Sequence, residues 1–514
     1  MTATKSRPVR DEAAQKAFGG ADDHFTAEQA KSLMATAMMH RGQVRIAHEF
    51  AANNVSKHMH VTGLGWLVWT GSHWAEDAGD KQSQNSVMAT IRLMAGYALG
   101  DKDLLGDLVK CQSANGVKGV LQLASSLPGI AVRADELDAD PYLLNCANGT
   151  LDLHGLSLQP HDPADRITKV CRGAYDPSVT SSLWAAFLEK SLPDEPVRGY
   201  FQRFAGLALI GKVLEHVFTI ATGEGRNGKG VAYLALTYAL GDYSLIAEPS
   251  LFEQVKSNPN AASPAFLALR GARFVVLSET AKTARVDAAL MKRLTGGDLL
   301  TARSLYEKKA VTFEASHTSL MVTNHLPSLP ADDPAVWARM RVIPFDVVIP
   351  PEERDTRLGE KLELEADGIL TWMVQGLAAY LANGLGEPDE VLKATSKYAK
   401  SQDKVSLFID EICTDAPANG GDTTKILHDA YINWAISEGI AKPHQLGSTD
   451  FGHALDKLGF EKKKTNRGAV RTGLGVDHRG AIMQIVLPQP PTGDTAHGDL
   501  RVGNSVGQGI PYSE

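Results

Sequence analysis

The stretch Phe218-Thr219-Ile220-Ala221-Thr222-Gly223-Glu224-Gly225-Arg226-Asn227-Gly228-Lys229-Gly230-Val231 decides the reading of this chain. Gly223, four further residues, Gly228 and Lys229 match a phosphate-binding loop, a pattern that closes on a Ser or Thr whose hydroxyl reaches the metal ion. Gly230 occupies that last position. Such a loop needs a strand before it and a helix after it. The β-branched run His216 to Thr222 supplies the first, and the helix formers Val231 to Leu240, stopped by Gly241, supply the second. Successive N–H groups of the turn, backed by the helix N-terminus, would form an anion nest, and Lys229 adds a point charge for the β- and γ-phosphates. Residues Gly223, Glu224, Gly225, Arg226, Asn227, Gly228, Lys229, Gly230 and Val231 are therefore the candidate cofactor-binding loop.

Three later segments fit the same reading. In GARFVVLSET, Phe274 to Leu277 have the pattern of a buried strand that ends in Ser278-Glu279, which sets a carboxylate at the C-terminal edge where ligands sit in open α/β sheets. In TSLMVTNHLP a third strand ends in Asn324, whose amide can donate and accept near a phosphate and its water. In DDPAVWARMRVIPF, Arg339 and Arg341 stand just before a fourth strand, and either could reach a nucleotide bound by a neighbouring subunit. A solvated strand-end Glu or a turn-forming Asn is the bland alternative for each taken alone; their order favours one machine.

Composition sets the frame. At 514 residues, about three domains are expected, at roughly 150 residues per domain. Hydrophobic content of 43% and charged content of 22% are those of a soluble globular protein. With no apolar run of spanning length and no secretory leader in MTATKSRPVRDEAAQ, a cytoplasmic protein without a membrane partner is expected. Cys111, Cys146, Cys171 and Cys413 lack metal-ligand spacing and read as reduced, packed thiols, so no zinc site is expected. A net charge of −8 confines nucleic-acid binding to local basic patches.

The expected organisation is a disordered N-terminus (1–30), an α+β region (31–194), an α/β domain with a parallel sheet (195–388), a linker (389–403), a C-terminal domain of helices followed by strands (404–487) and a disordered tail (488–514). Around Gly71 the apolar runs suggest two strands and a turn, and Asn148-Gly149 signals a hairpin. Trp66, Trp69 and Trp74 read as core residues in preference to base-stacking ones. Two helices are expected to break at Pro193 and Pro196.

From about Trp66 to Val486 the chain resembles the helicase portion of phage and plasmid primase-helicases, related to the poxvirus primase-helicase and belonging to helicase superfamily 3. The carrying stretches are LLNCANGTLDLHG, HDPADRITKV, GEGRNGKG, VVLSET, LMKRLTGGDLLTARSLYEKKAVTFEASHTSLMVTNHLPSL and VWARMRVIPF. The resemblance implies an AAA+-like P-loop ATPase that uses ATP and Mg²⁺, assembles as a homo-hexameric ring, and unwinds DNA on single-stranded or forked substrates. It further implies that Lys229 is the loop lysine, Glu279 the catalytic glutamate, Asn324 the sensor and Arg339 the finger arginine. Ser278 and Glu279 would support the metal, with Thr222 as a further candidate. Lys308 and Lys309 hold the position of a pore hairpin that touches the DNA backbone. The chain departs from the family at Gly230 and at Ala338, where a paired arginine is common.

The C-terminal segment from Asp422 to Val476 reads as helix, turn, helix and basic hairpin, with Ser448-Thr449-Asp450 as the cap of the second helix. It resembles the winged-helix module of the same family, which would put Lys462, Lys463, Lys464, Arg467 and Arg471 on a DNA-binding wing. No separate carboxylate-rich catalytic domain is apparent, so primer synthesis is expected from a separate primase polypeptide. A small-molecule kinase is disfavoured by the basic C-terminal cluster. A nucleotide-gated DNA-binding assembly protein with weak ATPase remains the alternative, because of Gly230.

Overall fold

The computed structural model describes residues 27–248, 251–252, 264–278, 286–302, 311–416, 420–440, 442, 445–465 and 468–476. The chain divides into two compact units, 1–402 and 403–514. Among the described residues no helix is long and apolar enough to cross a membrane.

The first unit opens with helices α1 (Ala27–Met38) and α2 (Gly42–Asn54), strands β1 (His58–Val61), β2 (Gly65–Trp69) and β3 (Trp74–Glu76), helices α3 (Lys81–Tyr97), α4 (Lys102–Cys111) and α5 (Ala114–Ala124), and strand β4 (Ala131–Val132). These strands form a sheet of order β3-β2-β1-β4. The turn expected near Gly71 joins β2 to β3 and pairs Trp69 with Trp74. Trp66 and Trp74 are buried in two small cores of this lobe, and Trp69 packs against one of them, so the tryptophans serve packing.

A three-stranded antiparallel meander follows: β5 (Leu143–Cys146), β6 (Gly149–Asp152) and β7 (Ser157–Gln159), with Asn148-Gly149 at its first turn. Its residues Leu144, Cys146, Leu151 and Leu153 lie in the same buried cluster as Phe274, Val276 and Leu320. The expected boundary at 194 therefore does not separate two cores. The lobe with its own cores ends near Leu137, and the meander packs into the core of the next sheet.

That packing includes helices α6 (Ser182–Ser191) and α7 (Glu195–Leu207). Pro196 sits in the first turn of α7, where its missing N–H has no partner to lose, so only Pro193 lies in the break. The rest of the first unit runs β8 (Phe218–Thr222), α8 (Lys229–Leu240), β9 (Ser244–Ala247), α9 (Pro264–Leu267), β10 (Phe274–Ser278), α10 (Ala288–Gly296), β11 (Leu299–Ala302), β12 (Val311–Glu314), β13 (Thr318–Thr323), α11 (Pro334–Arg339), β14 (Met340–Pro344), α12 (Leu358–Glu363), α13 (Ala366–Asn383) and α14 (Asp389–Gln402). Five of these strands form one parallel sheet of order β14-β8-β13-β10-β9.

Both faces of the sheet are covered, which is why its strands read as unbroken apolar runs. Phe274, Val276, Ala221, Val322 and Ile343 face a core shared with α6, α7, α8 and α13. Val275, Leu277, Ile220, Met321 and Val342 face the other, which contains Met291, Leu294 and Tyr398. The segment 389–403, expected as a linker, is mostly helix. In α14, Val391 and Tyr398 are buried, and Tyr398 meets the Trp337 ring edge-on at 5.2 Å. Polar residues on its outer face conceal this from composition alone.

The second unit holds α15 (Lys404–Ile412), β15 (Cys413–Asp415), α16 (Thr424–Ser437), α17 (Ser448–Lys457), β16 (Lys462–Thr465), β17 (Gly468–Arg471) and β18 (Leu474–Val476). Phe408, Leu427, Tyr431, Phe451 and Leu455 make its core. β16 pairs with β17, and β15 with β18, both antiparallel. Gly447 precedes α17 and no side chain caps it; Ser448, expected in the cap, begins the helix instead.

Candidate functional site

β8 ends at Thr222, and α8 begins at Lys229, so the chain reverses within six residues. It does so through left-handed backbone at Gly225 (φ +92°), Arg226 (φ +55°) and Gly228 (φ +89°). Glycine adopts that region freely, whereas Arg226 is held there at a cost of about 1–2 kcal/mol. Gly228 has a second reason to lack a side chain: a Cβ would strike Ser191 Oγ and come within 2.9 Å of Phe187 Cε2. At Gly223 a Cβ would collide with the Asn227 amide and the Phe345 carbonyl. Gly230 differs from both. Among the described residues, nothing beyond its chain neighbours and its own helix backbone lies within 4 Å of a Cβ placed there.

Lys229 turns back into the loop it follows. Its ammonium donates to Gly223 O at 2.8 Å, Asn227 Oδ1 at 3.0 Å and Asn324 Oδ1 at 3.2 Å. The lysine is 5% exposed, and burial lowers its pKa. Asn324 is brought there by sheet register, since β13 pairs with β8 so that Thr323 lies opposite Thr222. Asn227, 2% exposed, also donates from Nδ2 to Phe345 O at 2.7 Å. Outside the loop, Ile349 N–H donates to Arg226 O at 3.0 Å.

This arrangement suits a multiply charged anion. Among the described residues, the backbone N–H groups of Gly225 to Val231 donate to no protein acceptor, and they include the free donors of the first turn of α8. The three acceptors of Lys229 are neutral oxygens, so its charge is uncompensated by any described carboxylate. Phosphate oxygens satisfy both deficits at once. The metal side is less complete. Among the described residues no group of three or more His, Cys, Asp or Glu could hold an ion. Ser278 closes β10 opposite Val322 of β13, and Glu279 lies outside the described residues.

The arginines are not at this edge. β14 runs parallel to β8, with Met340 opposite Phe218, Arg341 opposite Thr219 and Pro344 opposite Thr222. At about 3.3 Å per residue, Arg339 lies roughly 16 Å from the strand ends that carry the loop. Arg341, expected just before the fourth strand, falls inside β14. Its guanidinium pairs with Glu387 and donates to the carbonyls of Ala338 (2.9 Å) and Met340 (2.6 Å). Arg339 donates from Nη1 to Ala335 O at 2.9 Å, and its buried Nε has no partner among the described residues.

The basic candidates separate in the same way. β11 and β12 form an antiparallel hairpin, but its tip, with Lys308 and Lys309, lies outside the described residues, as does Arg467. Lys462, Lys463 and Lys464 are exposed along β16. Arg471 is not part of that surface. It is 2% exposed, pairs with Asp456, and donates to Gly452 O (2.9 Å), Phe460 O (3.0 Å) and Thr424 Oγ1 (3.1 Å). An arginine opposite a lysine in a hairpin looks like wing surface in sequence; here it is the polar centre that joins β17 to α16 and α17.

Known proteins share parts of this chain. Residues 44–193 match the "D5 N terminal like" family. A protein of Acanthamoeba polyphaga mimivirus named "Putative helicase" is 30% identical over 294 residues, 53% of this chain and 30% of that protein. Another of the same name in Frog virus 3 is 27% identical over 313 residues, 58% of this chain and 30% of that protein. An African swine fever virus protein named "Putative primase" is 23% identical over 397 residues, 71% of this chain and 41% of that protein.

These similarities are to proteins named as helicases and primases. The chain spans between 30% and 41% of the length of the curated proteins just named. Among solved structures it is similar to the apo C-terminal region of NrS-1, at 16% identity and a TM-score of 0.33, over 57% of this chain and 72% of that one. The family match ends before β8, so Lys229, Asn324 and Arg339 lie outside the matched segment.

Proposed function

We propose that this chain is an ATP-dependent DNA helicase or translocase of superfamily 3, with an AAA+-like P-loop domain and a winged-helix C-terminal domain, acting in phage or plasmid DNA replication. One observation carries the reading: a buried lysine that, among the described residues, has no carboxylate, is bonded to the residue following the neighbouring strand, and stands beside a run of N–H groups without an acceptor. ATP enters with its phosphates on Gly223 to Val231. Lys229 keeps Asn227 and exchanges its other two oxygens, Gly223 O and Asn324 Oδ1, for phosphate oxygens, and Asn324, released from the lysine, orients water at the γ-phosphate. Glu279 takes the part of general base. Magnesium supplies charge neutralisation on the phosphates; with Gly230 in the hydroxyl position, Ser278 and Glu279 are the protein groups proposed to support it.

Arg339 acts on a neighbour's nucleotide. Its place at the end of β14 away from the loop is incompatible with reaching the nucleotide of its own chain and suits a subunit interface. A homo-hexameric ring follows as the proposed assembly, with Lys308 and Lys309 toward single-stranded DNA in the pore. Lys462, Lys463, Lys464 and Arg467 contact the backbone of forked DNA, and a separate primase makes primers in the host cytoplasm. Gly230 by itself favours a second reading, a nucleotide-gated DNA-binding assembly protein with weak hydrolysis.

The test is ATP hydrolysis by the full chain with and without single-stranded DNA, together with strand separation on a fork. DNA-stimulated turnover with unwinding is expected. Mixing Lys229→Ala with Arg339→Ala chains, each inactive alone, should restore part of the activity. Turnover indifferent to DNA, with no unwinding, would overturn the helicase assignment and favour the assembly protein.

A further inference from the structure

Asn227 is buried in the loop and bonded at both ends of its amide. Nδ2 donates to Phe345 O at 2.7 Å, and Oδ1 accepts from Lys229 Nζ at 3.0 Å. The two partners fix which way the amide points. Flipped, it would set NH₂ against an ammonium and oxygen against a carbonyl. Phe345 is itself held, since its N–H donates to Thr222 O at 2.8 Å and its buried ring meets Phe201 edge-on at 6.2 Å. The rest of the loop gives the lysine little support of this kind, because Gly225 and Gly228 leave the backbone around it without side chains.

We propose that Asn227 is a positioning residue of this site, tying the Lys229 ammonium to the end of β14 so that the lysine stands in line with Asn324 before the phosphates arrive. The inference rests on the reading of the loop as a nucleoside-triphosphate site. Gly223 O, another acceptor of the lysine, belongs to the loop itself, whereas Phe345 directly follows a strand of the rigid sheet. Through Asn227 the lysine takes its position from the sheet. Phosphoryl transfer depends on placement of such charges on the transferred group, so an unplaced lysine costs turnover more than it costs diphosphate binding. Asn227→Ala removes both bonds. Asn227→Asp keeps the shape and the acceptor, sets a carboxylate against the Phe345 carbonyl, and competes with phosphate for the ammonium.

The experiment compares the wild-type full chain with Asn227→Ala, Asn227→Asp and Lys229→Ala, measuring steady-state ATP hydrolysis, equilibrium binding of ADP and thermal unfolding. For Asn227→Ala the expected result is a kcat about tenfold lower, as for loss of one hydrogen bond to a charged group, with ADP affinity within about threefold. Asn227→Asp should raise KM for ATP more than Asn227→Ala does, and should fold where the alanine variant fails. Two results overturn the proposal: kcat and KM within twofold of wild type in the folded variants, or loss of turnover only in proportion to loss of folded protein. Lys229→Ala keeps the two levels apart. If it leaves hydrolysis intact, the nucleotide site itself is refuted; if it abolishes hydrolysis while the Asn227 variants behave as wild type, only the role of Asn227 is refuted.

Discussion

Of the buried cations among the described residues, Lys229 of the first unit and Arg471 of the second are held in opposite ways. Arg471 has a carboxylate partner in Asp456 and places further N–H groups on Thr424 and on the carbonyls of Gly452 and Phe460. Lys229 has three neutral oxygens and, among the described residues, no carboxylate. Burying a charge is costly unless it is paired, and an internally satisfied cation such as Arg471 serves the fold. A buried cation can also rest on neutral groups, as Arg273 does on the carbonyls of Leu209 and Leu143 and the face of Tyr243. What marks Lys229 is the run of N–H groups beside it that, among the described residues, have no acceptor, which an anion would satisfy together with the ammonium. In sequence both residues read as ligand-binding, and partner chemistry is what tells them apart.

Substitution should expose the difference. Lys229→Met should lower hydrolysis by roughly 10²- to 10³-fold while moving the unfolding midpoint little, since among the described residues no counter-charge is left unpaired. Arg471→Met should do the reverse, destabilising the second unit by about 3 kcal/mol in denaturant melts while leaving DNA-independent hydrolysis intact. A Lys229→Met chain that unfolds would put the two cations in one class.

His317 makes an intermediate case, a buried base with neither ring nitrogen partnered among the described residues, whose pKa falls to about 4 through burial. It is neutral in the folded chain, and the unfolded chain binds the proton first. Stability is therefore full above pH 6.5 and declines as pH falls toward 4, by up to about 3 kcal/mol. His58, whose pKa also falls to about 4 through burial, adds loss of the same sign. His317→Phe should flatten part of that decline in melts between pH 7 and 4.5; an unchanged pH profile would remove His317 as its source.

Smaller effects concern the surface and the odd glycine. Lys462→Ala with Lys464→Ala should lower the salt slope of single-strand binding by about 0.7 for each phosphate no longer neutralised, without altering stability. Gly230→Ser should fold, since among the described residues nothing beyond its chain neighbours and its own helix backbone lies within 4 Å of the added Cβ. Its hydroxyl is expected to lower the magnesium concentration needed for half-maximal turnover by a few-fold. No change in magnesium dependence would mean that the metal never depended on that position.

Much of the site is legible in sequence because glycine spacing and strand patterning are local signals. Gly223, Gly228, Lys229 and the strand runs ending at Ser278 and Asn324 are all placed by short-range chemistry, and the sheet brings Lys229 and Asn324 together. What escapes such reading depends on distant partners. Nothing local distinguishes Asn227, whose amide acts through Phe345, more than a hundred positions along the chain. Arg341 near the sheet edge and Arg471 in a basic hairpin look available until Glu387 and Asp456 are found beside them. The polar stretch from Asp389 hides a helix because only one face of it, with Val391 and Tyr398, is buried.

Equilibrium titration of the full chain with MgATP, wild type against Lys229→Met under conditions where both are folded, addresses the loop most directly. Saturable binding by the wild type, weakened at least a hundredfold in the variant, is the predicted result. Equal affinity in the two chains, or no binding by the wild type at millimolar nucleotide, would contradict the assignment of Gly223 to Val231 as a nucleotide site.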